Sequence, residues 1–257
     1  MAKTTICTKN VGYSRQFIED WADLIDWKRR RKGEGGFLRK VLESHSCRKV
    51  FNSCLGDGCD SIYLLKEGYD VLSNDLSVAF IRKAQENARR HSVKLAVTGH
   101  DWRELERHFP EGAFDAVLCL GNSLTHLFRH KDQLATLRNF RHILRRGGIL
   151  LIDERNYQYI LDKRKEILEG NFKYSYKYVY CGKKVIGYPV KISPRKVVFE
   201  YLNKGNGNTH HLELYPFRRG ELPGLLKEAG FSEVTQYSDY KKGFNSRADF
   251  YTYVCVK

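Results

Sequence analysis

The chain contains no Cys-x-x-Cys pair and no spacing of the kind that holds zinc. Its seven cysteines, at positions 7, 47, 54, 59, 119, 181 and 255, are an odd number that cannot all pair. A disulfide framework is thereby disfavoured, and reduced thiols in a cytoplasmic setting are expected. No apolar run approaches the length of a membrane span, and "MAKTTICTKN" lacks the hydrophobic stretch of a secretion signal, so neither membrane insertion nor export is expected. Internal repeats and low-complexity linkers are absent too, and no bound metal is expected. Acidic residues are outnumbered: 30 Asp and Glu face 45 Lys and Arg, a net charge of +15. That excess leaves two readings open, a phosphate-binding surface for nucleic acid or a solvated surface that attracts an anionic small molecule.

What is present is a change of period along 257 residues, enough chain for one large α/β domain. Helical spacing in "FIEDWADLIDW" (17–27) and "GFLRKVLESH" (36–45) predicts two leading helices. Strand and helix patterns then alternate. Strands are predicted at 48–55, 69–75, 93–102, 114–122 and 149–156, and helices at 59–68, 76–91 (opened by Ser77 as N-cap) and 132–148 (stopped by its glycines). The run "FDAVLCLGN" is almost wholly apolar, as a central parallel strand buried on both faces would be. Residues 171–216 switch to period two with turn signals such as "KGNGN", which predicts antiparallel hairpins. A helix (219–229) and two strands ("FSEVTQYSDY", "ADFYTYVCVK") should return to the main sheet. The expected fold is therefore α/β: a doubly wound, mostly parallel, Rossmann-like sheet with an inserted antiparallel β flap.

Such sheets bind ligands beyond the carboxyl ends of their strands. Four predicted strand ends carry suitable chemistry: Gly56-Asp57-Gly58, where backbone can approach a ligand; Asp75, an acceptor for ribose hydroxyls; Asp101-Trp102, an acceptor and a flat ring suited to adenine; and Leu120-Gly121-Asn122-Ser123. The complete G-x-G-x-x-G is missing, since Cys59, Asp60 and Ser61 follow Gly58. A nicotinamide dinucleotide site is thereby disfavoured. The shorter turn suits a class I S-adenosylmethionine (AdoMet) methyltransferase, whose ligand has no pyrophosphate.

The segments "FDAVLCLGNSLTHL" (114–127) and "LIDERNYQYIL" (151–161) closely resemble glycine N-methyltransferase and the glycine/sarcosine methyltransferases of betaine synthesis, and 17–30, 59–77 and 248–254 look like the same group. The resemblance implies AdoMet as cofactor, S-adenosyl-L-homocysteine as product and a small amine or amino acid such as glycine or sarcosine as substrate. It implies that Arg30 grips the methionine carboxylate, that Tyr13 and Trp21 close over the cofactor, and that Cys54 and Gly56 belong to its first loop. Asp75 and Leu76 would hold the ribose, Asp101 and Trp102 the adenine, and Leu120 and His126 the remaining wall. On the substrate side it implies Arg155 for the carboxylate, with Asn122, Asn171, Tyr174 and Tyr215 around it.

The same resemblance marks a departure. The family's first loop usually begins with Asp or Glu, where "FNSCLGDGCD" has Asn52, and Asp57 replaces the Thr of G-T-G. Asn52 is thus expected to lose a charge that orients backbone and ligand, and Asp57 to add one near the methionine end. The expected layout is a helical cap over the cofactor site (1–45), an AdoMet-binding core (46–170), a substrate flap rich in Tyr that acts as a hydrophobic lid (171–216) and a closing helix and strands (217–257). A nucleic-acid methyltransferase remains the alternative from charge, although the N/D-P-P-Y signature is missing after the fourth strand; a non-catalytic binding protein on the same fold is the other. Self-association is left open. "KRRRK" (28–32) is expected to start a helix on the cofactor side, and the adjacent His210-His211 to point to opposite strand faces at the surface.

Overall fold

A computed structural model of the chain describes Tyr13, residues 15–171 and residues 184–257. Three helices lead: α1 (Arg15–Leu24), α2 (Trp27–Glu34) and α3 (Phe37–Ser44). Then come β1 (Lys49–Asn52), α4 (Cys59–Lys66), β2 (Asp70–Asn74), α5 (Val78–Arg90), β3 (Ala96–Thr98), β4 (Phe114–Cys119), α6 (His130–Ile143) and β5 (Leu144–Arg155). The short α7 (Tyr157–Asp162) and α8 (Arg164–Glu166) precede β6 (Val185–Ser193), β7 (Lys196–Asn203) and β8 (Thr209–Leu214). The chain ends with α9 (Glu221–Glu228), β9 (Glu233–Ser238), β10 (Lys241–Lys242) and β11 (Phe250–Val256).

Eight strands form one sheet in the order β10-β9-β11-β5-β4-β1-β2-β3, and β6-β7-β8 form a separate antiparallel sheet. Strands β1 to β5 run parallel; β11 is antiparallel to both β5 and β9. The chain leaves β1 toward β2 and β3, then returns to β4 on the other side of β1. That reversal puts the switch in strand order between β1 and β4.

Three apolar clusters hold the layers. One packs α6 and α9 on the β4–β5–β11 face through Leu137, Phe140, Ile152, Phe217, Leu222 and Tyr253. A second packs α3 and α4 on the opposite face through Leu42, Leu64, Leu118 and Leu151. The third joins α1, α7 and the small sheet through Phe17, Ile18, Tyr157, Ile160, Phe199 and Tyr201.

Helix capping follows the sequence at α5, where Ser77 Oγ accepts from the Phe80 amide at 3.3 Å. The expected helix 132–148 is corrected: α6 stops at Ile143, and residues 144–148 already belong to β5. Two contacts outweigh the helical period there. Arg145 Nε donates to Asp115 Oδ1 at 2.6 Å, and the Lys257 amide donates to the Gly148 carbonyl at 2.9 Å, tying this stretch to β4 and to the chain's end. The expected strand 93–102 shortens to three residues. Among the described residues no helix is long and apolar enough to cross a membrane.

Candidate active site

Gly56 and Gly58 both adopt positive φ, +54° and +93°, so the loop after β1 turns sharply back to start α4. A Cβ on Gly58 would sit 3.0 Å from Ile62 Cδ1 and 3.2 Å from Ala84 Cβ, so this glycine lets α4 pack on α5. A Cβ on Gly56 would meet nothing within 4 Å, so that backbone faces open space.

Asn52 does not face that space. It is 1% exposed, its amide donates to Ser61 Oγ at 2.8 Å, and Ser73 Oγ donates to the same oxygen at 2.8 Å. The loop's acid comes instead from the next strand: Asp75 Oδ2 accepts from the Gly56 amide at 2.9 Å, and Oδ1 from the Ser77 amide at 2.9 Å. Burial pushes the Asp75 carboxyl up to about 6 against those two bonds. Leu76 follows it, half-buried. Asp57 is buried with its carboxylate on the Trp27 indole, Nε1 to Oδ2 2.7 Å, so it secures the start of α2; burial raises its pKa to about 6.

Arg30 lies on α2, whose N-cap Asp26 accepts from the Arg29 amide at 3.0 Å. The Arg30 guanidinium donates to Asp60 Oδ2 at 2.7 Å. Arg31 reaches the other oxygen of Asp60 and also Glu34, at 2.7 Å. Burial acts against the Asp60 charge, but the two arginines win and hold its carboxyl below the usual range. Two of the five basic residues in the run 28–32, Arg30 and Arg31, thus point into the protein rather than out toward phosphates.

Cys54 bridges two strand ends. Its thiol donates to the Leu120 carbonyl at 3.1 Å and accepts from the Leu120 amide at 3.2 Å. Asp153, on β5, takes the Gly121 and Asn122 amides at 3.0 and 2.6 Å and is pushed up to about 6 by burial. The acid directly after the apolar run 149–152 was its signal, and the sequence reading passed over it. Asn122 is buried in the left-handed conformation with φ +65°. Its amide donates to the Tyr157 hydroxyl at 2.7 Å, and its Oδ1 accepts from the Arg155 amide at 3.1 Å.

The Arg155 guanidinium lies between two rings, 4.6 Å from the Phe199 centroid on β7 and 4.9 Å from that of Phe250 on β11. Asn156 fixes the backbone behind it: its amide group reaches the Ser246 and Ala248 carbonyls at 3.0 and 2.9 Å. Above the strand ends, the Tyr13 hydroxyl meets His126 Nε2 at 2.8 Å, and its ring stacks on Phe17 at 5.2 Å and edges Phe80 at 5.1 Å. Burial drives the Tyr13 pKa up, with Asp75 adding to it, and drives His126 down to about 4. His126 is therefore a neutral imidazole near pH 7.

Other expected positions have protein contacts of their own or lie exposed. Asp101 is paired with Arg103, Nε to Oδ1 2.9 Å, and caps the turn after it. The Trp102 indole donates to the Ser53 carbonyl at 2.7 Å and edges Phe140 at 5.8 Å, so it also braces the core. The Tyr215 hydroxyl bonds Glu221 on α9. Asn171 is exposed at the end of the turn 167–171. Tyr174 and the Trp21 side chain lie outside the described residues. His210 and His211 do diverge, but only His211 is exposed. His210 Nε2 meets Asp20 Oδ2 at 2.8 Å and is 11% exposed, which corrects its surface placement. Among the described residues no cluster of three or more His, Cys, Asp or Glu could hold a metal.

Comparison with known proteins decides the family. Residues 50–148 match a methyltransferase domain. The glycine/sarcosine N-methyltransferase of Aphanothece halophytica is 39% identical over 246 residues, covering 95% of this chain and 89% of that one. The chain belongs to the glycine/sarcosine N-methyltransferase family. The same-named protein of Halorhodospira halochloris is 36% identical over 95% of this chain and 88% of its own length. Human glycine N-methyltransferase is 37% identical over 63% of this chain and 62% of that one. In fold, an S-adenosylmethionine-dependent methyltransferase from Clostridium acetobutylicum superposes with a TM-score of 0.70 at 14% identity, covering 94% of this chain and 97% of that one. Family membership makes this chain an AdoMet-dependent methyltransferase, and the residues at the switch point fit that cofactor. The Gly56 backbone is open to an approaching group, and the half-buried Asp75 carboxylate keeps lone pairs for hydroxyl donors.

Proposed function

We propose that the enzyme transfers a methyl group from AdoMet to the amino nitrogen of a small amino acid of the glycine or sarcosine class, releasing S-adenosyl-L-homocysteine and the N-methylated product. The observation that carries this reading is Arg155. The residue is 9% exposed, its guanidinium is held between two aromatic rings, and its backbone is anchored by Asn122 at the carboxyl end of a central strand. A planar guanidinium binds a carboxylate through two parallel hydrogen bonds, which fixes both the position and the rotation of the substrate.

AdoMet supplies the electrophilic methyl group when bound. Asp75 would hold the ribose hydroxyls, and Arg30 the methionine carboxylate. The backbone of Gly56, the Cys54 loop and Leu120 would form its floor, with Tyr13 and His126 as the opposite wall. Asn122 acts through its two bonds, to Tyr157 and to the Arg155 backbone, and so holds the carboxylate-binding group in register with the strand ends. Transfer needs the amine lone pair in line with the methyl group, so positioning is the protein's main contribution, worth up to ~7–11 kcal/mol when reacting atoms are well held. Five reduced cysteines among the described residues fit a cytoplasmic setting.

The test is mass-spectrometric detection of methylated products from AdoMet with glycine, sarcosine and dimethylglycine. Methylation of glycine or sarcosine supports the reading. No product from any of the three, with AdoMet binding intact, overturns the substrate assignment.

A further inference from the structure

Successive residues of β5 point to opposite faces, so Glu154 turns away from Asp153 and Arg155. It shares the α6–α9 face with Tyr251, its partner in register on β11, and with Tyr253. On that face a cavity of ≈ 280 Å³ opens between β5, β11 and the segment leading into α9. Pockets of a few hundred Å³ with convergent polar groups are where small ligands bind.

Its floor is Glu154, only 4% exposed. The Tyr253 hydroxyl donates to Oε1 at 2.7 Å, while Oε2 is buried with no hydrogen-bond partner among the described residues. Burial pushes this carboxyl up to about 8, with nearby Glu221 and Asp153 adding to the effect and the Tyr253 bond opposing it. Oε2 lacks a partner, and an N–H donor placed there favours the ionised carboxylate and offsets the cost of its burial. The walls are aromatic: Phe217 is buried, and Tyr251 stacks with Phe244 at 5.9 Å, whose ring is 53% exposed at the mouth. The mouth is cationic. Arg218 and Arg219 are both exposed there, and the Arg219 guanidinium lies 5.2 Å from the Phe244 centroid.

An acceptor at the bottom, flat apolar walls and two arginines at the entrance define a ligand with matching parts. We propose that this cavity is a second small-molecule site for an aromatic carboxylic acid that carries an amino group. The amino group donates to Glu154 Oε2, the ring lies along Phe217, Tyr251 and Phe244, and the carboxylate meets Arg218 and Arg219. Arg155 and Tyr157 also line this cavity, so it adjoins the site proposed for the methylated amine; Glu154 opens to it from one face of β5, while the Arg155 guanidinium lies between Phe199 and Phe250.

The test uses the full chain saturated with S-adenosyl-L-homocysteine, so that aromatic probes cannot enter the cofactor site. Two probes, 4-aminobenzoate and 4-(4-aminophenyl)butanoate, bracket the depth of the cavity; benzoate and 4-phenylbutanoate are the controls without the amine. Binding is read by calorimetry and saturation-transfer NMR. At least one amino probe should bind once per chain and at least tenfold more tightly than its control. Glu154→Gln, which puts an amide N–H where the donor must sit, should remove that tenfold advantage. Arg218→Ala/Arg219→Ala, on an exposed segment, should weaken probe and control alike by tenfold or more, and it serves if Glu154→Gln does not fold. Failure of both amino probes to bind, equal affinity with and without the amine, or affinity unchanged in the arginine variant each overturns the proposal. Displacement of the probe by glycine or sarcosine also overturns it, by placing the probe in the substrate site. Methylation of glycine is scored separately, so failure here leaves the functional reading standing.

Discussion

Replacing Arg155 by lysine keeps the positive charge and removes the planar fork, which makes it the sharpest test of the substrate-binding argument. Hydrogen bonds between charged groups contribute roughly 1.5–3 kcal/mol each. Arginine offers two of them to a carboxylate, and lysine offers one shorter-reaching point contact. Lysine also lacks the flat face that lies against Phe199 and Phe250 at 4.6 and 4.9 Å. Losing one such bond and the enforced alignment should cost about 2–4 kcal/mol in kcat/KM, roughly 30- to 1,000-fold at about 1.36 kcal/mol per decade. The assay compares glycine with ethylamine, which presents an amine and no carboxylate. Glycine turnover should fall by that factor, and turnover of ethylamine, already slow, should change less than about threefold. Affinity for S-adenosyl-L-homocysteine and the thermal midpoint serve as controls for the fold. If Arg155→Lys handles glycine and ethylamine with the same loss, or leaves glycine untouched, the guanidinium is not holding the carboxylate and the reasoning fails.

Asp75→Asn should weaken AdoMet binding by about ten- to a hundredfold, and wild-type affinity should fall as pH drops through about 6, where the carboxyl takes up its proton; calorimetry across pH 5–8 reads both. Stability carries the opposite sign: a folded pKa of about 6 above an unfolded value near 3.8 means this group favours the folded state most below pH 4 and loses that contribution as pH rises through 6, so unfolding midpoints should show a smaller decline over that window in Asp75→Asn. Asp20→Ala strands the Asn203, Asn206, Asn208 and His210 donors that converge on one buried carboxylate at 2.8–3.1 Å, and should destabilise the protein by roughly 3–5 kcal/mol in urea titrations, with early proteolysis in 203–208. Asn52→Asp should cost roughly 1–3 kcal/mol of stability, because the amide donor to Ser61 is lost in a site 1% exposed, while AdoMet affinity stays within about threefold of wild type.

The parallel core and the hairpin sheet were legible because each depends on a strong local signal. The apolar run 114–119 became the central β4, and the period-two pattern became β6–β8. The boundary at residue 144 was not legible, since it is set by Asp115 and by Lys257, the one 29 residues before Leu144 and the other at the far end of the chain, and no window of local pattern contains either. The candidate site divides the same way. Arg155, Asn122 and Asp75 sit at strand ends where the topology must bring them. The directions of Asp101 and Tyr215 were set by partners, Arg103 and Glu221, that a strand-end argument does not weigh. His210 shows the same limit: alternation predicted that it would face away from His211, but only the packing of α1 on the small sheet explains why it is buried.

The loop "FNSCLGDGCD" carries the general point. An acid at position 52 would be expected to organise the turn, and its replacement by asparagine suggests a weakened site when the loop is considered alone. In the folded protein the orienting carboxylates come from neighbouring strands: Asp75 holds the Gly56 amide, and Asp153 holds those of Gly121 and Asn122. Asn52, freed from that task, supplies an amide donor to a buried serine pair, a bond that a buried carboxylate could not donate. Asp57 likewise spends its charge on Trp27 and so seats the helix that delivers Arg30. Both departures from the family's usual loop thus strengthen its attachment to the protein behind it, and the face toward the ligand keeps open backbone at Gly56 and an acceptor at Asp75.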